Sequence, residues 1–372
     1  MPRTKKYAAV LVEPGYDKLI YSDYCLRGIR DMAARKDVQL RILSPFDPSE
    51  GYPDRLPVCV ILMCATELWA DSVSAELHKR GCEVIQMPCT YGCTDPRNHT
   101  IGENIDGYCE EIYRYVIAGG RRKIALLGFK NGALDKERVR ALFHAKETMG
   151  GVGELTLLPP DQDFASIPGS FDTVIVNNGT NAAVFVMWAN ENGVRIPSEL
   201  WVLTTQATRI TGIISPSITT VSALDYFVMG ESAVQLMLML SSLQMQGQIH
   251  LKQNYELIPR DSTAGFAPGQ SLERTPSYRL TPQRWMRKND FATCLCYEIE
   301  NKLFCLNDTD LDILRQVLLR TTTEQIAELA NMSISAVNYH IKSILELFHA
   351  DSRQALVKLF AENNLLGMDC TE

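Results

Sequence analysis

The sequence has no long hydrophobic run. No stretch of ~18 uncharged apolar residues, the minimum for a membrane-spanning helix, occurs anywhere in it. The first apolar run follows a basic start but stops at Val12 and is followed by Glu13. It is too short for the hydrophobic part of a secretory signal. We therefore expect a cytoplasmic protein without a membrane partner.

Motifs of catalysis and nucleotide binding are missing too. The chain has no Gly-x-Ser-x-Gly elbow, no Gly-x-x-x-x-Gly-Lys-Ser/Thr loop and no Gly-x-Gly-x-x-Gly fingerprint. Residues 128–132 (GFKNG) lack the spacing of a phosphate loop, and the six histidines are dispersed. We predict no catalytic residues, no cofactor and no enzymatic activity.

The chain also has no overall basic charge, since its net charge is −7. Any DNA contact must therefore come from a local patch. The 11 cysteines are odd in number and scattered, as in a protein with reduced thiols. The spacings Cys89-x-x-x-Cys93 and Cys294-x-Cys296 invite a zinc site, but neither has a second ligand pair nearby. We predict no metal site.

Up to residue 263, short apolar runs alternate with helical periodicity. The predicted strands cover residues 7–12, 38–43, 58–63, 83–87, 123–127, 173–176 and 200–203. The predicted helices cover residues 22–36, 68–80, 102–118, 135–149 and 180–192. Continuous apolar strands indicate sheets covered on both faces. Their alternation with helices predicts an α/β fold with parallel, doubly wound sheets.

Polar loops follow several of these strands, at the sheet edge where ligands bind in such folds. Groups suited to a small polar ligand such as a sugar lie in or near these loops: Glu13, Tyr16, Tyr21, Phe129, Asn178, Trp188 and Gln206. Aromatic rings can stack on a sugar while amides and carboxylates bind its hydroxyl groups. The alternative is that these loops merely cap strands, as in any α/β protein.

Four segments, in order, carry a family resemblance. They are residues 121–128 (RRKIALLG), 174–178 with 194–200, 217–221 with 229–233, and 257–263 (LIPRDST). Together they resemble the LacI-type sugar repressors across residues 7–263. The resemblance implies a two-lobed, type I periplasmic-binding-protein fold with ligand between the lobes. It places one lobe at about 7–119 plus 222–246 and the other at about 120–220 plus 247–263.

The resemblance also implies site residues. The pocket arginine of the family matches Arg138 or Arg140, and two of its aspartates match Asn178 and Gln206. These departures leave the ligand's identity open. Only six residues precede Tyr7, so we expect no N-terminal DNA-binding headpiece of the LacI type.

The next segment is a predicted linker, residues 264–300. Residues 264–270 are rich in Gly and Pro, and residues 271–290 carry five Lys/Arg against two Asp/Glu. The basic part is either a solvated linker or a source of additional DNA-phosphate contacts. Residues 293–306 form either a hairpin or the start of a helix, with their three cysteines expected in the core.

The last segment, residues 301–372, has a helix-turn-helix pattern. Caps at Asn307, Thr322 and Ser333 open three helices, and Asn331 suits the tight turn between the last two. A core stripe runs from Val337 to Phe348, and a final helix covers residues 353–360. The opposite face presents Ser335, Asn338, Tyr339 and Lys342, with His340 beside them.

This segment resembles the LuxR-type helix-turn-helix. Residues 306–314 match its LTxREREVL, 326–333 its IAxxLxIS and 337–345 its VKVHLxNIL. The resemblance implies that Asn338, Tyr339 and Lys342 face the DNA major groove, with Ser335 and His340 near the backbone. Residues 306–360 hold only five Lys/Arg against seven Asp/Glu, so we expect a homodimer to bind DNA better than one copy.

The sequence thus predicts a two-lobed α/β sensor at residues 1–263 joined to a C-terminal all-α helix-turn-helix domain. We predict a transcription regulator whose partners are DNA and a small polar effector. The alternative is an α/β ligand-binding or enzymatic domain with a helical bundle used for protein–protein contact. Salt-dependent DNA affinity distinguishes these two hypotheses.

Overall fold

The computed structural model describes residues 6–18, 20–88, 95–130, 132–159, 162–222, 226–242, 247–264 and 291–366. The strands are β1 (Lys6–Val12), β2 (Val38–Leu43), β3 (Cys59–Met63), β4 (Glu83–Met87), β5 (His99–Gly102), β6 (Lys123–Leu127), β7 (Glu154–Leu157), β8 (Thr173–Val176), β9 (Trp201–Thr204), β10 (Thr219–Ser222), β11 (His250–Lys252) and β12 (Glu256–Ile258). The helices are α1 (Ile20–Arg35), α2 (Glu67–Lys79), α3 (Ile105–Ala118), α4 (Ala133–Thr148), α5 (Gly179–Glu191), α6 (Tyr226–Ser242), α7 (Phe291–Phe304), α8 (Asp308–Leu318), α9 (Thr323–Leu329), α10 (Ile334–Phe348) and α11 (Arg353–Glu362).

The chain divides into two compact units, Met1–Ile105 with Ala223–Tyr255 and Asp106–Ser222 with Glu256–Glu372. Two elements belong to the other unit than the lobe in which they were predicted. Helix α3 belongs to the second unit, where Tyr113 donates a 2.5 Å hydrogen bond to the carbonyl of Val152. Strand β11 belongs to the first unit because it pairs in parallel with β5.

The first unit contains a six-stranded sheet in the order β11-β5-β4-β3-β1-β2, with all pairs parallel. Residues 8–12 of β1 are fully buried, as the continuous apolar run predicts for a strand covered on both faces. Helices α1 and α6 pack against each other in this unit. Strand β5 was not predicted, because its buried residues include His99 and Thr100 rather than an apolar run.

The second unit contains a six-stranded sheet in the order β12-β10-β9-β8-β6-β7. Only the pairing of β12 with β10 is antiparallel among the described strands. The doubly wound parallel architecture is therefore confirmed, and β2, β4, β6 and β8 have the predicted bounds. Strands β7, β10, β11 and β12 are short and were not predicted from periodicity.

The hairpin alternative for residues 293–306 is wrong, because residues 293–304 lie in helix α7. Its buried residues Cys296, Ile299, Glu300 and Leu303 are three or four positions apart and so share one helix face. That face packs on α5. The cysteines were all expected in the core, but Cys294 and Cys305 are exposed and only Cys296 of the three is buried.

Helices α8 to α11 follow the predicted caps. Asn307 with Asp310 and Thr322 with Gln325 form two complete capping boxes, and Ser333 caps α10. Asn331 has a φ of 53°, the left-handed conformation predicted for the turn between α9 and α10. The buried residues of α10 are Val337, Ile341, Ile344 and Phe348. Two capped helices joined by a tight turn are thus confirmed.

One apolar cluster runs through the second unit. It includes Phe185 and Trp188 of α5, Leu303 of α7, Leu314 of α8 and Phe360 of α11. The helical region therefore shares its core with the second sheet and its helices.

Candidate functional site

In the first unit, Glu13 follows β1 at the carboxyl edge of the sheet. Its side chain is 7% exposed, and Oε2 accepts hydrogen bonds from the N–H groups of Ala65 (2.6 Å) and Thr66 (3.0 Å). The Thr66 hydroxyl donates to Oε1. Thr66 is the N-cap of α2 but makes no side-chain cap bond of its own. Glu13 therefore satisfies backbone groups at the start of α2.

Tyr16 and Tyr21 are the other predicted residues of this unit. Tyr16 is 6% exposed and belongs to the apolar cluster of the unit. The side chain of Tyr21 lies outside the described residues.

An aromatic group that was not predicted lies at the same edge. The backbone N–H of Phe46 donates to the carbonyl of Val12, the last residue of β1, at 2.7 Å. The ring centroid of Phe46 lies 5.3 Å from that of Tyr52 and 6.4 Å from that of Trp69. Nε1 of Trp69 is buried and has no hydrogen-bond partner within the part of the chain that is described. The signal in the sequence was a tryptophan in the first turn of the helix that follows β3.

In the second unit, Arg138 is the centre of a buried polar network. Its side chain is 2% exposed. Nε donates to the hydroxyl of Tyr108 at 2.8 Å, and Nη1 donates to the carbonyl of Asn177 at 3.2 Å. The hydroxyl of Thr205 donates to the same carbonyl at 2.7 Å. Asn177 and Thr205 directly follow β8 and β9, so this network lies at the carboxyl edge of the sheet.

The two candidates for the pocket arginine lie in different environments. Arg138 is buried, whereas Arg140 is exposed and forms ion pairs with Asp106 (2.7 Å) and Glu137 (2.8 Å). Beside the network, Oδ2 of Asp135 accepts a hydrogen bond from the N–H of Lys130 at 2.8 Å. Burial raises the pKa of the Asp135 carboxyl.

Asn178 is the N-cap of α5, with its side-chain oxygen 2.9 Å from the N–H of Asn181. Gln206 is half-buried in the loop after β9, and Phe129 is 4% exposed after β6. The second sheet therefore gathers Arg138, Asn178, Phe129 and Gln206 near its carboxyl edge. Asn177 and Thr205 lie in polar loops that the sequence places after β8 and β9, whereas Tyr108 of α3 was not predicted, because its role depends on its hydrogen bond with Arg138.

The loop after β9 continues into a short 3-10 turn, Arg209–Gly212, that is attached to α7. Glu300 is 5% exposed, and its two carboxylate oxygens accept hydrogen bonds from the N–H groups of Arg209 and Ile210, each at 2.8 Å. Burial raises the pKa of Glu300. Nη1 of Arg209 donates to the carbonyl of Leu306 at 2.5 Å.

Gly179 allows this loop to pack closely on α5. A Cβ atom at Gly179 would lie 2.2 Å from Oγ1 of Thr208 and 3.0 Å from the carbonyl oxygen of Gln206. Any larger residue would displace the backbone of the loop. The start of α5, the loop of Gln206 and helix α7 are thus packed in one continuous arrangement.

The candidate nucleic-acid interface lies on α10. Ser335, Asn338, Tyr339 and Lys342 are exposed, and Tyr339 is 73% exposed. Lys342 lies 3.8 Å from the carboxylate of Glu346. His340 differs from the other four, because its Nδ1 lies 2.6 Å from Oδ1 of Asp310 and its side chain is half-buried. The exposed polar face therefore contains four of the five predicted residues.

No group of three or more His, Cys, Asp or Glu side chains in the described ranges is arranged to hold a metal ion. No helix in those ranges is both long and apolar enough to span a bilayer.

Comparison with known proteins agrees with this architecture. The model of one protein family, the periplasmic binding protein-like domain, matches residues 113–263. The chain has the two-sheet α/β fold of type I periplasmic-binding proteins. Attached to this fold is a helical C-terminal region. No curated protein matches the chain significantly.

Several solved LacI-family structures share this type I fold. A LacI family transcriptional regulator CcpA from Weissella paramesenteroides with bound sucrose has a TM-score of 0.55 and 19% identity, covering 69% of this chain and 98% of its own. A LacI family transcriptional regulator from Bifidobacterium animalis subsp. lactis has a TM-score of 0.56 and 18% identity, covering 71% and 100%. The transcriptional regulator CelR–cellobiose complex has a TM-score of 0.55 and 16% identity, covering 70% and 85%.

Proposed function

We propose that this chain is a ligand-responsive transcription regulator in which a small, sugar-like molecule controls a C-terminal DNA-binding helix. The observation that carries the proposal is the attachment of α7 to the loop after β9, at the carboxyl edge of the second sheet. Helix α7 directly precedes the helix-turn-helix arrangement with its exposed polar face. This function requires no catalytic residues, and it places the protein in the cytoplasm.

The exposed face of α10 supports DNA binding. The helix buries one stripe and leaves Ser335, Asn338, Tyr339 and Lys342 accessible. Amide, hydroxyl and amino groups of this kind bind base edges and phosphates when a helix enters the major groove. We assign Asn338, Tyr339 and Lys342 to base contacts and Ser335 to the backbone. His340 is held by Asp310 and instead orients the helix.

Charge supports a need for a second copy. Residues 306–360 have more acidic than basic side chains, and phosphate neutralisation dominates affinity for DNA. We propose a homodimer that places two α10 helices about one DNA turn (~34 Å) apart. We also assign phosphate contacts to the basic segment 271–290, which lies outside the described residues.

Each unit carries polar groups at the carboxyl edge of its own sheet, and these groups support a sugar-like effector. In this proposal Trp69 offers an unpartnered N–H beside the ring of Phe46, and Gln206 offers an amide in the loop after β9. LacI-family regulators of the same fold are named with bound sucrose, glucose, ribose or cellobiose. Glu13, Arg138 and Asn178 hold the surrounding loops in place.

The path from the effector to DNA runs through Glu300. Gln206 lies three residues before Arg209, and the N–H groups of Arg209 and Ile210 are bound by Glu300 of α7. A ligand that moves the loop of Gln206 would therefore move α7 and the helices that follow. Such a ligand shifts the equilibrium only as far as it binds one loop position better than the other.

Fluorescence anisotropy with genomic DNA fragments at two salt concentrations tests DNA binding. We expect the affinity for DNA to fall as the salt concentration rises. Lys342→Ala should weaken binding and reduce the slope of log affinity against log salt concentration by about 1. Lys358→Ala is the matched control, because Lys358 is an exposed lysine of α11 that pairs with Glu362. A flat salt response, or equal losses in both variants, would contradict DNA binding through α10.

A thermal-shift series with sucrose, glucose, ribose and cellobiose tests the effector. We expect at least one sugar to raise the unfolding temperature, and Trp69→Phe, which removes the N–H but keeps a ring, to reduce that rise. Tyr297→Phe on the exposed surface of α7 is the control. A sugar that stabilises both variants as it does the native chain would remove Trp69 from the site.

A further inference from the structure

A cavity of about 420 Å³ lies inside the second unit, where the helical region packs on the α/β part. Gly212, Ser217, Arg260 and Asp261 line it from the α/β part, and Arg315 lines it from α8. It is separate from the carboxyl-edge network around Arg138. The sequence motifs gave no reason to join Arg260 to Arg315, which are far apart in the chain.

Two guanidinium groups converge on this cavity. Nε of Arg315 donates to the carbonyl of Gly212 at 3.0 Å, and its Nη1 donates to Asp312 at 2.6 Å. Nη1 of Arg260 donates to the carbonyl of Ile218 at 2.7 Å. A Cβ atom at Gly212 would lie 2.7 Å from Nη2 of Arg315 and 3.8 Å from Nη2 of Arg260. Neither Nη2 has a hydrogen-bond partner among the described residues.

The nearby carboxylates do not occupy these two nitrogens. Asp312 is bound to Nη1 of Arg315, and Asp261 accepts a hydrogen bond from the hydroxyl of Ser217 at 2.7 Å. Burial, and then repulsion from Arg315, lower the pKa of Arg260 to about 10, so Arg260 remains charged at neutral pH. The cavity thus holds two like charges close together, each with an unused donor.

We propose that this cavity binds an oxyanion of the phosphate class between Arg260 and Arg315. Guanidinium donors bind such groups through charge-assisted hydrogen bonds, and a bound anion offsets the repulsion between the two arginines. Because one arginine belongs to the α/β part and the other to α8, the anion joins them and strengthens their packing. Phosphate binding at this site can be measured without the proposed effector and without DNA.

Isothermal titration calorimetry of the full chain with inorganic phosphate, at constant ionic strength in chloride, tests the site. Gly212→Ala is the informative variant: it keeps both charges but places a methyl group 2.7 Å from Nη2 of Arg315 and 3.8 Å from Nη2 of Arg260. Arg260→Met removes one donor. We expect each to weaken phosphate binding by about tenfold or more. Arg195→Met removes an exposed arginine paired with Glu199 in the same unit and should bind as the native chain does.

Weaker binding in both site variants but not in Arg195→Met supports the site. Absence of binding to the native chain, equal binding by Gly212→Ala or Arg260→Met, or equal loss in Arg195→Met overturns it. A parallel titration with glucose 6-phosphate against glucose distinguishes a phosphate carried by a metabolite from free phosphate. Circular dichroism confirms that each variant is folded, and neither result depends on DNA.

Discussion

Nδ1 of His340 on α10 lies 2.6 Å from Oδ1 of Asp310 on α8. Oδ2 of Asp310 accepts a hydrogen bond from the N–H of Asn307 at 3.2 Å, and its own N–H donates to the side chain of Asn307 at 2.9 Å. A single aspartate therefore closes the capping box of α8 and contacts the helix that presents the polar face. The contact therefore links α10 to the start of α8.

A double-mutant cycle with His340→Ala and Asp310→Ala measures that contact. We expect a coupling of about 1 kcal/mol in the free energy of unfolding, since a half-buried hydrogen bond to a carboxylate is lost in either variant. Chemical denaturation of the native chain, both single variants and the double variant gives the value. Additive effects would mean that the two side chains do not interact in solution. Asn338→Ala on the exposed face is the control and should leave stability unchanged within about 0.5 kcal/mol.

Arg138 and Arg140 should differ sharply when replaced by methionine. Arg138→Met removes the hydrogen-bond donor to the hydroxyl of Tyr108 and the carbonyl of Asn177. We expect the free energy of unfolding to fall by about 2 kcal/mol. Arg140→Met breaks exposed ion pairs and should cost less than about 1 kcal/mol. Urea denaturation of the two variants checks the order. A larger loss for Arg140→Met would show that the buried network contributes little.

Glu300 predicts a pH dependence of stability. Burial raises its pKa in the folded state above the ordinary value of 4.5, so the folded chain binds a proton that the unfolded chain has released. This contribution to stability is fully present below about pH 4.5 and is lost as pH rises through the folded-state pKa. Glu300→Gln cannot titrate, so its destabilisation relative to the native chain should be larger at about pH 4.5 than at pH 7.

Denaturant titrations at the two pH values measure the difference for Glu300→Gln. Glu298→Gln is the control, because Glu298 lies on the same helix but is exposed and paired with Lys302. A destabilisation that is independent of pH, or that grows towards pH 7, would contradict the raised pKa.

Gly179→Ala should disturb the loop that joins the second sheet to α7. The added methyl group would overlap Oγ1 of Thr208 and contact the carbonyl oxygen of Gln206. We expect the free energy of unfolding to fall by about 1–3 kcal/mol. Gly132→Ala is the control, since a Cβ atom there meets nothing within 4 Å. Thermal unfolding of both variants gives the comparison. Equal effects would show that the loop adapts without strain.

Local sequence rules predicted those parts of the fold that depend on local physics. Apolar runs such as Thr173–Val176 gave strand bounds, and side-chain caps at Asn307, Thr322 and Ser333 gave helix starts. The left-handed Asn331 was likewise predictable from the preference of asparagine for tight turns. In each case the signal and the structure that it specifies lie within a few residues of each other.

The remaining features depend on distant partners. In the sequence, Glu300 has the character of a solvent-exposed helix residue. Its burial follows from its hydrogen bonds to the distant N–H groups of Arg209 and Ile210. Strand β10 is mostly Thr and Ser, and its pairing with β9 and β12 determines it. The candidate ligand site was located to the strand ends, but the importance of Tyr108 and Thr205 follows only from their contacts around Arg138.

The core shared by α5 and α7 has a consequence for how the chain folds during synthesis. Sγ of Cys296 lies 3.4 Å from Sδ of Met187, and both belong to the cluster that also holds Leu314 and Phe360. A ribosome that has completed the second sheet has yet to make the residues that cover this face of α5. Exposed apolar surface of this kind promotes aggregation of nascent chains. The C-terminal helices therefore also protect the α/β part, which would reach its final stability only after they leave the ribosome.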